Sequence, residues 1–339
     1  MSKNISIVSV AERLGISASE VSRAFKVGYP MNPEKRELIK KTAAEMGYVR
    51  NEAASRLTMK PIRFAVICSN DFPEFDEQLM KGFKDAERTY FAYKLMLSYH
   101  FVEDSENTDR LDGMISQFID EGYDAVLIAM CCEGVEPVVK KYSEKIRIAL
   151  VNSDMPQSGR LFAAVNNTVS VAKIAAQLLY SGEKESCAVF TGVRGHWNHV
   201  NILESFRQVW TERGCEIACV YNSASEEKMR RQLEEAFSNH PEITCVYATS
   251  ALSVPICEYI NANGLKGKVR VVASDIYERL GKYILDGTVC AALYQNPAWQ
   301  AYTAVEEMYR YVAKGIKPVD RMVSKPEIVI AANLELYTK

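Results

Sequence analysis

Continuous apolar strands alternating with amphipathic helices, a pattern the chain runs through twice, constrain this sequence more than any other feature. Arg63-Phe64-Ala65-Val66-Ile67-Cys68 reads as a strand buried on both faces, and residues 76–90 read as the helix that follows. The strand signal returns at 94–98, 124–128 and 147–151, with a helix over 108–122 and another between the last two strands. A strand that is apolar throughout has no solvent face, so helices must cover both sides of a parallel sheet. The alternation then restarts, with strands expected at 187–190, 216–220, 245–248 and 269–272. The expected body is two doubly wound lobes. Ligands belong at the carboxyl ends of their strands, in the cleft between them.

The first sixty residues follow a different rule. Val10, Ala11 and Leu14 fall at helical spacing, Ser6 is placed to cap that helix, and Gly15 stops it. Ser17-Ala18-Ser19-Glu20 has the form of a capping box and opens a second helix that reaches about residue 26. A third helix, 33–46, starts with proline in its first turn and closes at Gly47, with Leu38, Ile39, Ala43 and Met46 as its apolar face. Two short helices around a three-residue turn make a helix-turn-helix, whose second helix is expected to present Ser17, Ala18, Ser19, Ser22 and Arg23 to a major groove. An ordinary three-helix bundle without a role on DNA is the plainer reading of the same pattern. Charge favours the first: residues 1–60 carry eleven Lys/Arg against six acids, a net of +5, in a chain whose total is −2.

The run Val10-Ala11-Glu12-Arg13-Leu14-Gly15-Ile16-Ser17, followed by Val21-Ser22-Arg23-Ala24-Phe25 and by Glu45-Met46-Gly47-Tyr48, resembles the head of the lactose-repressor (LacI/GalR) family. Asn51-Glu52-Ala53-Ala54-Ser55-Arg56-Leu57 is similar to that family's hinge helix. The resemblance implies that Asn51 and Ala54 belong to the hinge and that Leu57 is a wedge in the minor groove. It also implies a periplasmic-sugar-binding-like core, a homodimer on operator DNA and a small effector that switches operator affinity. Arg50 departs from the family, which usually has proline there.

The expected organisation is therefore a helix-turn-helix head over 1–50 and a hinge over 51–60. An N-terminal lobe follows from 61–161 with 290–318, and a C-terminal lobe from 162–289 with 319–339. Residues just past strand ends are the effector candidates: Phe72 and Phe75, Asn152 and Asp154, Asp275, and Gln295 on the return crossover. Carboxylates and amides grip vicinal hydroxyls, and aromatic rings cover the apolar face of a sugar, which adds Trp197 and Trp299 as candidates. Ile202, Ser205 and Thr249-Ser250 stand where the family usually carries a polyol grip, so the grip is incomplete.

Other chemistries find little here. No GxGxxG follows a strand, no P-loop is present, and Gly192-Val193-Arg194-Gly195 is a loop fragment. His196 and His199 have the spacing of a metal pair, but no carboxylate or thiolate stands in register with them. No cofactor and no enzymatic activity are expected. The longest apolar runs are far short of the ~18 residues a membrane span needs. Nine cysteines without a CxxC pair, in a chain whose start lacks an export signal, suggest reduced thiols in the cytoplasm. A DNA-binding repressor follows as the expected function. The rivals are a regulator that senses a protein partner and a transporter's solute-binding protein, which shares the two-lobed core.

Overall fold

The computed structural model describes residues 5–25, 29–48, 60–69, 72–102, 108–130, 134–192 and 195–338. Three helices come first: α1 (Ile7–Leu14), α2 (Ala18–Ala24) and α3 (Pro33–Glu45). Ser6 and Ser17 cap the first two by accepting from Ser9 N and Glu20 N, and Gly15 ends α1 at φ 64°, where a side chain would be strained. Val10, Ala11, Val21, Ala24, Ile39 and Ala43 make a small core of their own. Lys35 on α3 pairs with Glu20 at 2.5 Å, so the capping-box glutamate also ties α2 to α3.

The body holds two six-stranded sheets. The first contains β1 (Ile62–Ser69), β2 (Leu95–Val102), β3 (Ala125–Ala129), β4 (Arg147–Val151), β5 (Phe162–Asn166) and β11 (Arg321–Ser324), in the order β11-β5-β4-β3-β1-β2. The second contains β6 (Ser186–Thr191), β7 (Glu216–Asn222), β8 (Cys245–Ala248), β9 (Arg270–Ser274), β10 (Ala291–Tyr294) and β12 (Glu327–Val329), in the order β12-β10-β9-β8-β6-β7. The central strands are buried almost throughout, as their apolar runs require, with Arg63 of β1 the half-buried exception. The helices α4 (Pro73–Tyr90), α5 (Thr108–Asp120) and α6 (Val135–Tyr142) cover the first sheet, joined by the long α12 (Pro297–Lys314), whose Ala301, Ala304, Val305 and Met308 enter its core. The helices α7 (Thr168–Leu179), α8 (Trp197–Glu212), α9 (Glu226–Asn239), α10 (Ser253–Ala262) and α11 (Glu278–Leu285) cover the second.

Two expectations are corrected here. The sheets are not wholly parallel, because β12 runs antiparallel to β10. The lobe boundaries also fall later than expected: β5 still belongs to the first sheet, β10 to the second, and β11 returns to the first. The physical reason is that each crossover follows a completed strand. The chain changes lobe between Asn166 and Thr168, between Tyr294 and Pro297, and between Ser324 and Glu327.

The cleft ends of the two sheets share a backbone device. Asn152, just past β4, adopts φ 60°, and Asp275, just past β9, adopts φ 62°. Each donates its N–H to the neighbouring strand, Asn152 to Ala164 O at 2.8 Å and Asp275 to Leu293 O at 2.9 Å. Asn and Asp tolerate the left-handed region better than other side chains, which permits this turn without glycine.

Candidate functional site

A small, partly open cleft lies at the carboxyl ends of the strands, where the lobes face each other. The N-terminal lobe contributes Phe72, Phe75 and Asn152. The C-terminal lobe contributes His196, Asn198, His199 and Ile202 from the start of α8, Thr249, Ser250 and Ala251 from the end of β8, and Asp275; Gln295 comes from the return crossover.

Of the effector residues expected from the sequence, Phe72, Phe75, Asn152, Asp275 and Gln295 come together in this cleft. Asp275 is buried and accepts from Gln295 twice, from its main-chain N at 3.2 Å and from its Nε2 at 2.9 Å. Burial pushes its carboxyl up to about 7, against those two hydrogen bonds, which favour the charged form. Gln295 is itself held, since its carbonyl accepts from Gln300 Nε2 and Ser324 Oγ. Asp275 is thus a buried carboxyl fixed in place, its pKa raised by that burial.

Asp154 is a correction. It is fully buried, and its oxygens are occupied by the guanidinium groups of Arg160 and Arg321. Arg160 also reaches Asp320 at 2.8 Å. A carboxylate shared by two arginines is a structural fastening with no oxygen left for a ligand. Trp197 does not line the cleft: the Arg321 guanidinium sits 5.5 Å from its ring, so it joins this fastening across the lobes. Trp299 lies on α12, more than a third exposed and also outside the cleft.

The sequence reading missed the wall supplied by α8. His196 and His199, noted in the sequence only for the spacing of a metal pair, lie with ring centroids 4.9 Å apart and ring planes tilted. Burial pulls the His196 imidazole down to about 4, and burial with its histidine neighbour holds His199 well below the usual range. His199 Nδ1 lies 3.0 Å from Thr249 Oγ1, and Gly192 leaves the space its ring fills. Asn198 donates from Nδ2 to Asn152 O at 2.6 Å and to Asn152 Oδ1 at 3.1 Å, a hydrogen bond that spans the lobes. The available signal was the strand-end rule applied to β6, whose carboxyl end leads directly to these residues. Among the described residues, no cluster of three or more His, Cys, Asp or Glu could hold a metal.

Of the residues expected to face DNA, Ser17 is the N-cap of α2, and Ala18, Ser19, Ser22 and Arg23 lie on that helix, none of them buried. Ser17 spends its hydroxyl on capping α2. Arg23 lies over the Tyr29 ring at 5.5 Å. Asn51, Ala54 and Leu57 lie outside the described residues.

Comparison with known proteins follows this geometry. Residues 64–316 match the family model described as a periplasmic binding protein domain. An ABC transporter solute-binding protein from Burkholderia graminis, in complex with D-arabinose, superposes with a TM-score of 0.74 at 21% identity, covering 83% of this chain and 100% of its own. GanP, a glucose-galactose binding protein from Geobacillus stearothermophilus, gives 0.73 at 19% identity, covering 81% and 99%. A putative LacI transcriptional regulator from Bacteroides fragilis gives 0.71 at 17% identity, covering 82% and 100%. No curated protein sequence matches the chain. At these identities the structural likenesses establish the fold.

These findings overturn the expectation of an operator-binding repressor. The matched family is one of binding proteins, its match takes in no residue before 64, and most of the similar structures are sugar-binding proteins of transporters. Operator DNA and a homodimer on it fall with that expectation. The cytoplasmic placement gives way to the periplasmic one in the family's description. A sugar-like ligand remains compatible with both. With three quarters of its length matched, this chain belongs to the periplasmic binding protein domain family.

Proposed function

We propose that the chain binds a sugar or sugar-like polyol between its lobes and acts as a solute-binding protein. The carrying observation is the make-up of the cleft: Phe72 and Phe75 from one lobe, opposed by Asn198, His199, Thr249, Asp275 and Gln295. A sugar presents an apolar C–H face to an aromatic ring and a rim of hydroxyls that both donate and accept. The relatives named for D-arabinose and for glucose and galactose support the same class. The test is a thermal-shift and calorimetric screen with D-arabinose, D-galactose, D-glucose and D-allose. A ligand present at a hundred times its Kd stabilises the native state by about 2.7 kcal/mol, which a melting curve resolves. Phe75→Ala and Asp275→Ala are expected to remove the response; a wild-type chain that ignores every sugar would overturn the reading.

The finer likeness to the lactose-repressor family is proposed for the descent of the architecture alone, without any claim on DNA. Its support is the capped helix pair over 7–24 and the likeness of the body to the Bacteroides fragilis protein. Among the described residues, none of the first sixty positions lines the cleft. Deleting them is therefore expected to leave sugar affinity within about two-fold, as for independent regions.

A further inference from the structure

We propose that Cys187 and Cys245 join as a disulfide while the chain folds, a staple between β6 and β8 that the finished fold then seals from solvent. Neither residue lines the cleft, so the staple is independent of the ligand bound there.

Cys187 on β6 and Cys245 on β8 are register partners on neighbouring parallel strands. Partners in a parallel pair send their side chains to the same face of the sheet, and both thiols enter the cluster that holds Phe206, Trp210 and Tyr247. Neighbouring strands lie about 4.8 Å apart, within the roughly 4.4–6.8 Å between Cα atoms that a disulfide spans. The Cys245 thiol also reaches across to β6, where it donates to Ser186 O at 3.8 Å, the carbonyl next to Cys187. Among the described cysteines no other two are register partners. Cys219, on the other flank of β6, is partner to Ala188 and faces the opposite core.

Both residues are free thiols in this structure and wholly buried. Burial pushes the Cys187 thiol well above its ordinary range, and the Cys245 thiol beside it adds to the rise. The thiolate is the form that attacks a disulfide, so the folded pair is inert toward exchange. In the unfolded chain the same thiols are solvated and titrate at about 8.5. The time for reaction is therefore folding itself. One protein thiolate attacks a small disulfide such as oxidised glutathione, forming a mixed disulfide and releasing one glutathione thiolate. The second protein thiol loses its proton to water and displaces the other glutathione. Two protein thiols thus give up two electrons and two protons, and one glutathione disulfide becomes two thiols. The expectation of reduced thiols went with a cytoplasmic placement, whereas the compartment in the family's description is one where disulfides form and persist.

The experiment refolds the full chain from urea with oxidised and reduced glutathione, blocks the remaining thiols with iodoacetamide and digests with trypsin without reduction. Peptide 185–194, which carries Cys187, is expected to be linked to peptide 232–266. Cys245→Ala is expected to abolish the link although Cys257 remains in the second peptide. A chain kept folded and reduced should link at least about ten-fold more slowly in the same glutathione mixture. Closing a loop of about sixty residues is expected to raise the melting midpoint of the oxidised chain by about 5–10 °C over the reduced one. Four results would each overturn the inference: no linked peptide after refolding, a link from Cys187 to a different cysteine, a native chain that oxidises as fast as a refolding one, or an oxidised chain that melts no higher.

Discussion

The two lobes close their cleft ends with the same backbone and opposite electrostatics. Asn152 and Asp275 share a left-handed φ and the same N–H bond to a neighbouring strand. The crossovers beyond them are capped alike, by Asn167 on Ser170 N and by Asn296 on Trp299 N, each at 3.0 Å. In the N-terminal lobe the turn carries a neutral amide, and the acid stands two residues later, at Asp154, locked between arginines. In the C-terminal lobe the acid sits on the turn itself, inside the cleft, with only an amide for company. The comparison teaches that strand-end position fixes where a carboxyl lies. The presence of a nearby guanidinium then decides whether it fastens the fold or remains available to a ligand.

The comparison breaks most visibly at Asp154. Asp154→Ala leaves the buried Arg160 with only Asp320, and is expected to cost about 3–5 kcal/mol in urea denaturation, the loss typical of breaking a buried pair. If the cost proves no larger than that of Asp275→Ala, the two carboxyls do not differ as described. Asp275 gives the second test, through pH. Its unfolded form loses a proton near 3.8 and its folded form near 7, so the native state holds more protons between those values. Stability therefore falls as pH rises across that window, by up to about 4 kcal/mol, and Asp275→Asn should flatten the slope. A slope unchanged in the variant would assign it to another group. Third, Gly192→Ala would put a Cβ 2.3 Å from His199 Nε2, and overpacking there is expected to cost about 1–3 kcal/mol while shifting the cleft wall. Smallest is Arg279→Ala. It removes exposed pairs to Glu74 across the lobes and to Glu226, and should change the melting free energy by less than about 1 kcal/mol, less still at high salt.

The fold was legible because a parallel strand covered on both faces has no freedom to be polar. Val66, Leu127, Leu150, Val189, Val246 and Val272 report it directly. The lobe boundaries were less so, since β5, β10 and β11 are short, and the sequence does not say on which sheet a crossover strand pairs. In the cleft, Phe75, Asn152, Asp275 and Gln295 followed from position alone. Asp154 misled because its satisfaction depends on Arg321, distant in sequence and adjacent only in space. Asn198 was hidden for a related reason, its setting being made by Asn152 of the other lobe. The capped helices of the first sixty residues were equally readable, but a cap fixes backbone and says nothing of partners.

The three chain crossings between the lobes have a mechanical consequence. A single strap would let the lobes swivel and tilt in any direction, whereas three straps set side by side act as the leaf of a door, stiff to twisting and compliant about one axis. Gln295 lies on one of these straps, its carbonyl taking hydrogen bonds from Gln300 and from Ser324 on another. Its amide holds the Asp275 carboxyl. The pivot and the cleft-facing acid are thus parts of one hydrogen-bonded linkage.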